Sequence, residues 1–324
     1  MKPISIIIPN YNGARLLRRN LPSVLSAAKS YPGGTRVIVV DDGSTDDSVQ
    51  ILSSEFPEVT PVVHETNKGF AEAIFTGVIS ADTELLFLLN SDVELHPNCL
   101  ELLEPYFDED STFSATPLML DDDGSINRHS WNLRSFQRGY LKLVDWDLDE
   151  AKKQRQRRKL FTLYSSGGCM LVSRSKFLEL EGFHPIFKPF YGEDFDLGIR
   201  AWYRGWQSYF EPNATLVHQS HGSIKDSVKR AMVKKTRRRN RYLLEWIHTP
   251  LSRLLVSTIP HSIVQLLGEL VMLDTVNVSG FFKAVPRIPQ ALRARMRIRS
   301  NQQLSLDTIL EKTLGSYHPA EKTQ

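Results

Sequence analysis

Apolar residues in the first third of the chain follow two spacings in turn. Ile4-Ser5-Ile6-Ile7-Ile8, Arg36-Val37-Ile38-Val39-Val40 and Leu85-Leu86-Phe87-Leu88-Leu89 are short, nearly continuous apolar runs ended by polar residues. Such runs predict strands buried on both faces of a sheet. Between the first two, Leu16, Leu17, Leu21, Val24 and Leu25 repeat at helical spacing over about Ala14–Ser30, and Pro32-Gly33-Gly34 breaks the pattern. The spacing predicts a helix from about Ser44 or Thr45 to Ser54, a strand over Val59–His64 and a helix over Phe70–Ser80, opened by Asn67-Lys68-Gly69. Strand and helix alternate, so residues 1–95 read as βαβ units with a parallel sheet, an α/β fold.

The pattern becomes irregular over residues 111–150, with a hairpin-like turn at Asp121-Asp122-Asp123-Gly124-Ser125. Lys152 to Lys159 places six cations in eight residues and reads as a mobile surface segment. Ser165-Ser166-Gly167-Gly168 then turns into an apolar run from Cys169 to Val172. Gly192-Glu193-Asp194 starts a helix carrying Asp196, Arg200 and Trp202, and two short strands follow at Ser208–Phe210 and Leu216–His218. Beyond residue 223 the chain turns basic and amphipathic. Lys225–Arg241 holds nine cations and one acid, and Lys283–Arg299 holds six cations and no acid, interleaved with apolar residues. Residues 254–268 lack formal charge, but with Pro260, His261 and Gln265 among them they read as too short and too polar to span a bilayer.

Charge changes the picture. The formal net charge of +3 hides a split: residues 1–150 carry 11 Lys+Arg against 24 Asp+Glu, and residues 151–324 carry 29 against 13. The acidic half suits a metal-dependent site and the basic half suits an anionic surface. The two cysteines, Cys99 and Cys169, are far apart and lack metal-ligand spacing, which argues against a disulfide scaffold or a zinc site and fits a reducing compartment. Met1-Lys2-Pro3 leads straight into a strand without the pattern of a signal peptide, so a cytoplasmic location is expected.

Three acidic signals fall where ligands bind in open α/β sheets, at or near the carboxyl ends of strands. They are Asp41-Asp42, Asn90-Ser91-Asp92 and Glu193-Asp194. Carboxylates gathered there are costly to desolvate unless a cation meets them, and a divalent metal carrying a nucleotide diphosphate answers that need. No G-x-G-x-x-G follows the first strand and no G-x-x-x-x-G-K-[ST] occurs, which excludes a Rossmann dinucleotide site and a P-loop.

Taken together, these motifs resemble the family 2 glycosyltransferases of GT-A fold, most closely bacterial rhamnosyltransferase-like enzymes of cell-surface glycans. The resemblance covers roughly residues 4–245. It implies a Rossmann-like, mixed but mainly parallel sheet flanked by helices. The expected organisation is a transferase domain over residues 1–223, with a nucleotide-sugar half (about 1–100) and an acceptor half (about 101–223), and a helical, membrane-associating extension over 224–324. By resemblance, Asp42 accepts from the nucleobase, Pro9 and Tyr11 form the base-contacting loop, and Lys68 reaches the base or a phosphate. Asn90-Ser91-Asp92 departs from the family's Asp-x-Asp by keeping only its last carboxylate. Asp92 is therefore the expected ligand of Mg²⁺ or Mn²⁺, which accepts one carboxylate plus waters and phosphate oxygens, while Asn90 serves the ribose or a metal water. His218, with His221 as the alternative, is the expected metal-side histidine; Gly167, Gly168 and Trp202 are placed on the acceptor side.

A carboxylate at a helix start in a partly desolvated cleft suits a general base, and the family gives that role to the aspartate matching Asp194, with Glu193 orienting the acceptor or Asp194. The expected activity is inverting transfer of a hexosyl or rhamnosyl group from a UDP- or dTDP-sugar to a glycan or polyprenyl-linked acceptor. The basic segment over 224–300 is expected to dock on the anionic inner face of the cell membrane. A non-enzymatic membrane-surface protein and a nucleotidyltransferase are the competing readings. Nucleic acid is not an expected partner, because the cations are interleaved with Leu, Ile and Phe.

Overall fold

A computed structural model describes residues 1–219 and 230–317. The alternative ligand His221 and part of the Lys225–Arg241 run lie outside the described residues. Strand β1 (Ile4–Asn10) pairs in parallel with β2 (Thr35–Asp41) and β4 (Leu85–Leu89), and β2 pairs with β3 (Thr60–Val63). Helices α1 (Ala14–Ser30), α2 (Ser48–Glu55) and α3 (Phe70–Ser80) make the crossovers, as the spacing predicts. Every residue of β4 is buried, and each such side chain contributes about 1.5–3 kcal/mol by leaving water. That is why the strand reads as an unbroken apolar run. Helix α3 lies so close to β1 that a Cβ on Gly77 would stand 2.3 Å from Ile7 Cγ2.

The second half adds β5 (Val93–Leu95), α4 (Cys99–Leu103), β6 (Thr112–Leu120), the hairpin β7 (Arg134–Gln137) and β8 (Tyr140–Leu143), α5 (Leu148–Arg155), β9 (Leu160–Phe161), β10 (Cys169–Ser173), α6 (Arg174–Glu179), α7 (Glu193–Tyr203) and β11 (Gln207–His218). The large sheet runs β3-β2-β1-β4-β10-β6-β11-β5, with β9 on β11. It is mainly parallel, but β10 lies antiparallel between β4 and β6. The two strands expected at Ser208–Phe210 and Leu216–His218 are one strand, β11, whose register against β6 shifts between Glu211 and Thr215.

Two expectations are corrected here. The cation run at Lys152–Lys159 is not a mobile segment: its first half lies in α5, capped by Asp147, which accepts from the Glu150 N–H, and Arg155 reaches the buried Glu211 at 2.6 Å. Burial of Ala151 and Gln154 supplies the apolar anchor that composition hid. The stretch 254–268 is also not short. Leu251–Val271, here α9, is continuously helical for 21 residues, and by length and composition it is sufficient to cross a membrane. Pro260 comes just after a π-helical turn over Leu254–Thr258, which shifts the backbone pairing ahead of it, and the helix continues through the proline.

Helix α8 (Arg230–His248) packs against α10 (Thr275–Ala284) and α11 (Ile288–Arg299). Helix α12 (Leu306–Tyr317) returns to the sheet, where Tyr317 packs edge-on to Trp131 and its hydroxyl accepts from the Asp147 N–H.

Candidate active site

The ends of β1, β2 and β4 open on one side of the sheet. The carboxylate of Asp41, wholly buried, accepts from Asn10 Nδ2 at 2.9 Å and the Ser44 N–H at 2.9 Å, fastening the loops after β1 and β2 together. Asp42 is buried as well. It accepts from the Lys68 N–H at 2.9 Å and the Gly69 N–H at 2.7 Å, and its Oδ1 lies 2.7 Å from His64 Nδ1. His64 in turn meets Thr76 Oγ1 at 2.9 Å. Asp42 thus holds the Asn67-Lys68-Gly69 loop, a task that the sequence did not disclose. Tyr11 is 38 % exposed beside this loop system, and Pro9 lies in β1, opposite Val40.

The turn after β4 is held from behind. Asn20 Nδ2 donates to the Ser91 carbonyl at 2.8 Å, Gln219 Nε2 donates to Asn20 Oδ1 at 2.7 Å, and the Gln219 N–H donates to the Asp92 carbonyl at 2.9 Å. Antiparallel pairing of β5 with the end of β11 sets His218 opposite Val93, next to Asp92. His218 Nε2 stands 3.6 Å from Asp92 Oδ1. That is too long for a hydrogen bond and a little more than the ~3 Å between neighbouring ligands of a Mg²⁺ with ~2.1 Å bonds. One carboxylate and one imidazole fit a cation that keeps waters and diphosphate oxygens for its other positions. Among the described residues no group of three or more His, Cys, Asp or Glu could hold a metal by itself.

Two glycines join this donor side to the carboxylate pair. The Asn90 N–H donates to the Gly168 carbonyl at 2.8 Å, and a Cβ on Gly168 would lie 2.3 to 2.4 Å from the Asn90 carboxamide. The neighbouring Gly167 N–H points at Asp194 Oδ2, 3.4 Å away. Gly192, in the left-handed conformation at φ 94°, turns the chain into α7, so that Glu193 and Asp194 stand on its first turn. Burial raises the Asp194 carboxyl above its ordinary value, opposed by the N–H groups of Phe195 and Gly167 and by the charge of Arg134. Burial, then Asp194, then Asp196 push Glu193 up to about 8. Asp196, one turn face away, is wholly buried. Burial works to raise its carboxyl, yet Arg200 at 2.7 Å and His248 at 2.9 Å hold it well below the ordinary range.

Contacts therefore link His218 and Asp92, through Asn90, Gly168 and Gly167, to Asp194 and its neighbour Glu193 near the β4–β10 boundary. Trp202 does not join them. It is wholly buried, its indole N–H donates to the Thr162 carbonyl and it packs edge-on to Phe161, so the expected acceptor-side role is corrected to a core role. Trp202 lies about two turns along α7 from Asp194, at the buried end of the helix. Arg134 and Tyr164 pack on Phe195, the neighbour of Asp194, and were missed by sequence reading. Arg134 lies in the irregular region, where no periodicity marks it.

A mainly parallel sheet with an antiparallel strand inserted beside β4, and carboxylates near its strand ends, are the architecture of the GT-A fold. The chain belongs to glycosyl transferase family 2, whose family model matches residues 5–180, more than half of the chain. It is 27% identical over 244 residues to the N-acetylglucosaminyl-diphospho-decaprenol L-rhamnosyltransferase of Mycobacterium tuberculosis, which covers 69% of this chain and 78% of that one. It is 33% identical over 101 residues, 30% of this chain and 31% of the other, to an undecaprenyl-phosphate 4-deoxy-4-formamido-L-arabinose transferase of Photorhabdus laumondii. Two solved structures share the fold. The mannosyltransferase of Pyrobaculum calidifontis, in complex with GDP-Man and Mn²⁺, has a TM-score of 0.54 and 14% identity, covering 98% of this chain and 88% of that one. GalNAc-T7 with UDP, GalNAc and Mn²⁺ has a TM-score of 0.58 and 18% identity over 76% of this chain, which spans about half of that one, 48%.

Proposed function

We propose that the protein is an inverting, metal-dependent glycosyltransferase that moves a hexosyl or rhamnosyl group from a UDP- or dTDP-sugar to a polyprenyl-linked glycan in cell-surface polysaccharide synthesis. The observation that carries the reading is the joining of Asp92 and His218 to Asp194 through the Asn90–Gly168 and Gly167–Asp194 contacts. Donor and base thereby face each other across one turn.

Asp42 and the Lys68-Gly69 loop it holds, with Pro9 and Tyr11, take the nucleobase; uracil and thymine offer the same N3–H. Asp92 and His218 hold the cation. Bound Mg²⁺ or Mn²⁺ supplies Lewis-acid neutralisation of the leaving diphosphate. Asp194 accepts the proton of the acceptor hydroxyl as its oxygen bonds to the anomeric carbon and the bond from that carbon to the diphosphate breaks, which inverts the centre. Glu193, holding its proton at neutral pH, orients the acceptor as a hydrogen-bond donor. A nucleotidyl transfer would leave this carboxylate pair without work. Gly167 and Gly168 leave room for the acceptor sugar.

The membrane reading rests on α9. Leu255, Val256, Ile263, Val264, Leu267 and Val271 expose 54 to 84 % of their surface. From Lys283 to Arg299 the following helices add six cations and no acid. An apolar ridge beside a basic flank suits insertion into an anionic leaflet, and the mycobacterial relative's name includes a diphospho-decaprenol sugar. We place the protein on the cytoplasmic face of the membrane for that reason.

The test is nucleotide diphosphate release, and direct nucleotide binding, across UDP-, dTDP- and GDP-sugars with Mg²⁺ or Mn²⁺. Turnover or hydrolysis of one donor that is abolished by EDTA and by Asp92→Ala is the expected result. Failure of every nucleotide to bind would overturn the reading and leave the membrane-surface alternative.

A further inference from the structure

Next to the carboxylate pair, Arg134 and Arg237 form no ion pair within 4 Å among the described residues, although the charge of Arg134 is felt at Asp194. Arg134 stacks its guanidinium over Tyr164 at 5.7 Å and over Phe195 at 5.2 Å, and its Nη2 donates to the Tyr164 hydroxyl at 2.7 Å. Its Nε is buried and has no partner among the described residues. Arg237, exposed on α8, lies over the Tyr191 ring at 4.2 Å, two residues before Glu193. Among the described residues no acidic oxygen lies within 4 Å of either guanidinium. Two unpaired guanidinium groups beside the carboxylate pair are what an anionic ligand group requires, and Arg in particular suits phosphate through its planar fork of donors.

The same region leads to the apolar ridge. Arg134 opens β7, and the β7–β8 turn rests on α9: Gly139 abuts His261 and Ser257, and the Tyr140 hydroxyl meets Ser262 Oγ at 2.9 Å. The hairpin that Arg134 opens therefore connects the guanidinium region to the helix with the exposed apolar ridge.

We infer that Arg134 and Arg237 bind the phosphate or diphosphate group of a prenyl-linked acceptor, the sugar lying towards Asp194 and the chain running along β7–β8 to α9. This rests on the proposed function and extends it by naming the residues that recognise the acceptor's charge. This order matches the order of parts in such a molecule: hydroxyl at the carboxylate, phosphate one sugar ring away, lipid at the membrane.

The test is titration calorimetry on the full chain in dilute detergent, with the donor site filled by UDP or dTDP and Mg²⁺. Farnesyl diphosphate is the probe, with farnesol and inorganic pyrophosphate as comparisons. The expected result is that farnesyl diphosphate binds more tightly than either comparison. Arg134→Gln and Arg237→Gln should each weaken it about tenfold or more, the size of one lost charge-assisted hydrogen bond, with nucleotide affinity unchanged in both and melting temperature unchanged in Arg237→Gln. Arg237 is exposed, so its variant decides the matter even where Arg134→Gln disturbs packing. Unchanged affinity for farnesyl diphosphate in Arg237→Gln and in every folded Arg134 variant overturns the inference. Farnesol binding as tightly as farnesyl diphosphate overturns the phosphate site, and pyrophosphate binding as tightly overturns the lipid part. If neither nucleotide binds, it is the donor reading that fails, and the same titrations without nucleotide still decide the phosphate site.

Discussion

Replacing Asp194 with Asn separates catalysis from architecture. The wild-type carboxylate accepts the Phe195 N–H at 2.8 Å and, more distantly, the Gly167 N–H at 3.4 Å through its other oxygen. Asn keeps one of these oxygens, so the structural loss is at most one weak backbone hydrogen bond, about 1 kcal/mol. Removing a charge that burial disfavours works against that loss, because burial is the leading cause of the raised Asp194 carboxyl. The folded state should therefore move by no more than about 1 kcal/mol. Catalysis should move much further, since a positioned general base contributes about 10²–10⁴ in rate, or roughly 3–5 kcal/mol at 1.36 kcal/mol per decade. Measured side by side, turnover should fall by at least about a hundredfold while the donor and metal dissociation constants and the melting temperature stay near wild type. Turnover within a few-fold of wild type would refute the assignment of the base. A loss of donor affinity matching the loss of rate would instead make Asp194 a donor ligand.

Two further outcomes follow from charge and exposure. Glu193 holds its proton up to about 8 in the fold, against 4.5 as its ordinary value, so the native state binds a proton that the unfolded chain has released. Stability then falls as pH rises from about 4.5 through about 8. Glu193→Gln cannot ionise, so its denaturant midpoint should gain on wild type across that window, and parallel midpoints from acid to pH 8.5 would refute it; the neutral isostere should also keep most of the turnover at pH 7. For the membrane face, the pair Val264→Asp and Leu267→Asp puts two charges on an exposed ridge without touching the core. Sedimentation with anionic vesicles should drop sharply while donor binding is kept, and undiminished sedimentation would show that α9 is not the inserting element.

Reading the chain without its structure recovers the first half of the fold closely, because every signal there is local. An apolar run reports a strand buried on both faces, a 3.6-residue repeat reports a helix packed on it, and an acid after the run marks the strand's carboxyl end. Helices α1 and α3 begin and end where the spacing places them. Glu193 and Asp194 are legible for the same reason, as carboxylates after a turn glycine and before an amphipathic helix. The rest depends on partners from 40 to more than a hundred residues away, which no periodicity reports. Trp202 is a core residue because α7 turns it towards Thr162 and Phe161. The cations of α5 are ordered because Glu211 waits beneath Arg155. His218 reaches Asp92 only through pairing of β5 with β11. Arg134 has no sequence signal at all, and its place beside Asp194 follows from a hairpin folded back between α8 and α9. The sequence by itself thus determined the sheet's first half and marked Glu193-Asp194 as a carboxylate pair at a helix start, since local patterns suffice for both. Only the tertiary structure decided which side chains share the site, because that depends on strand pairing and helix packing between distant segments.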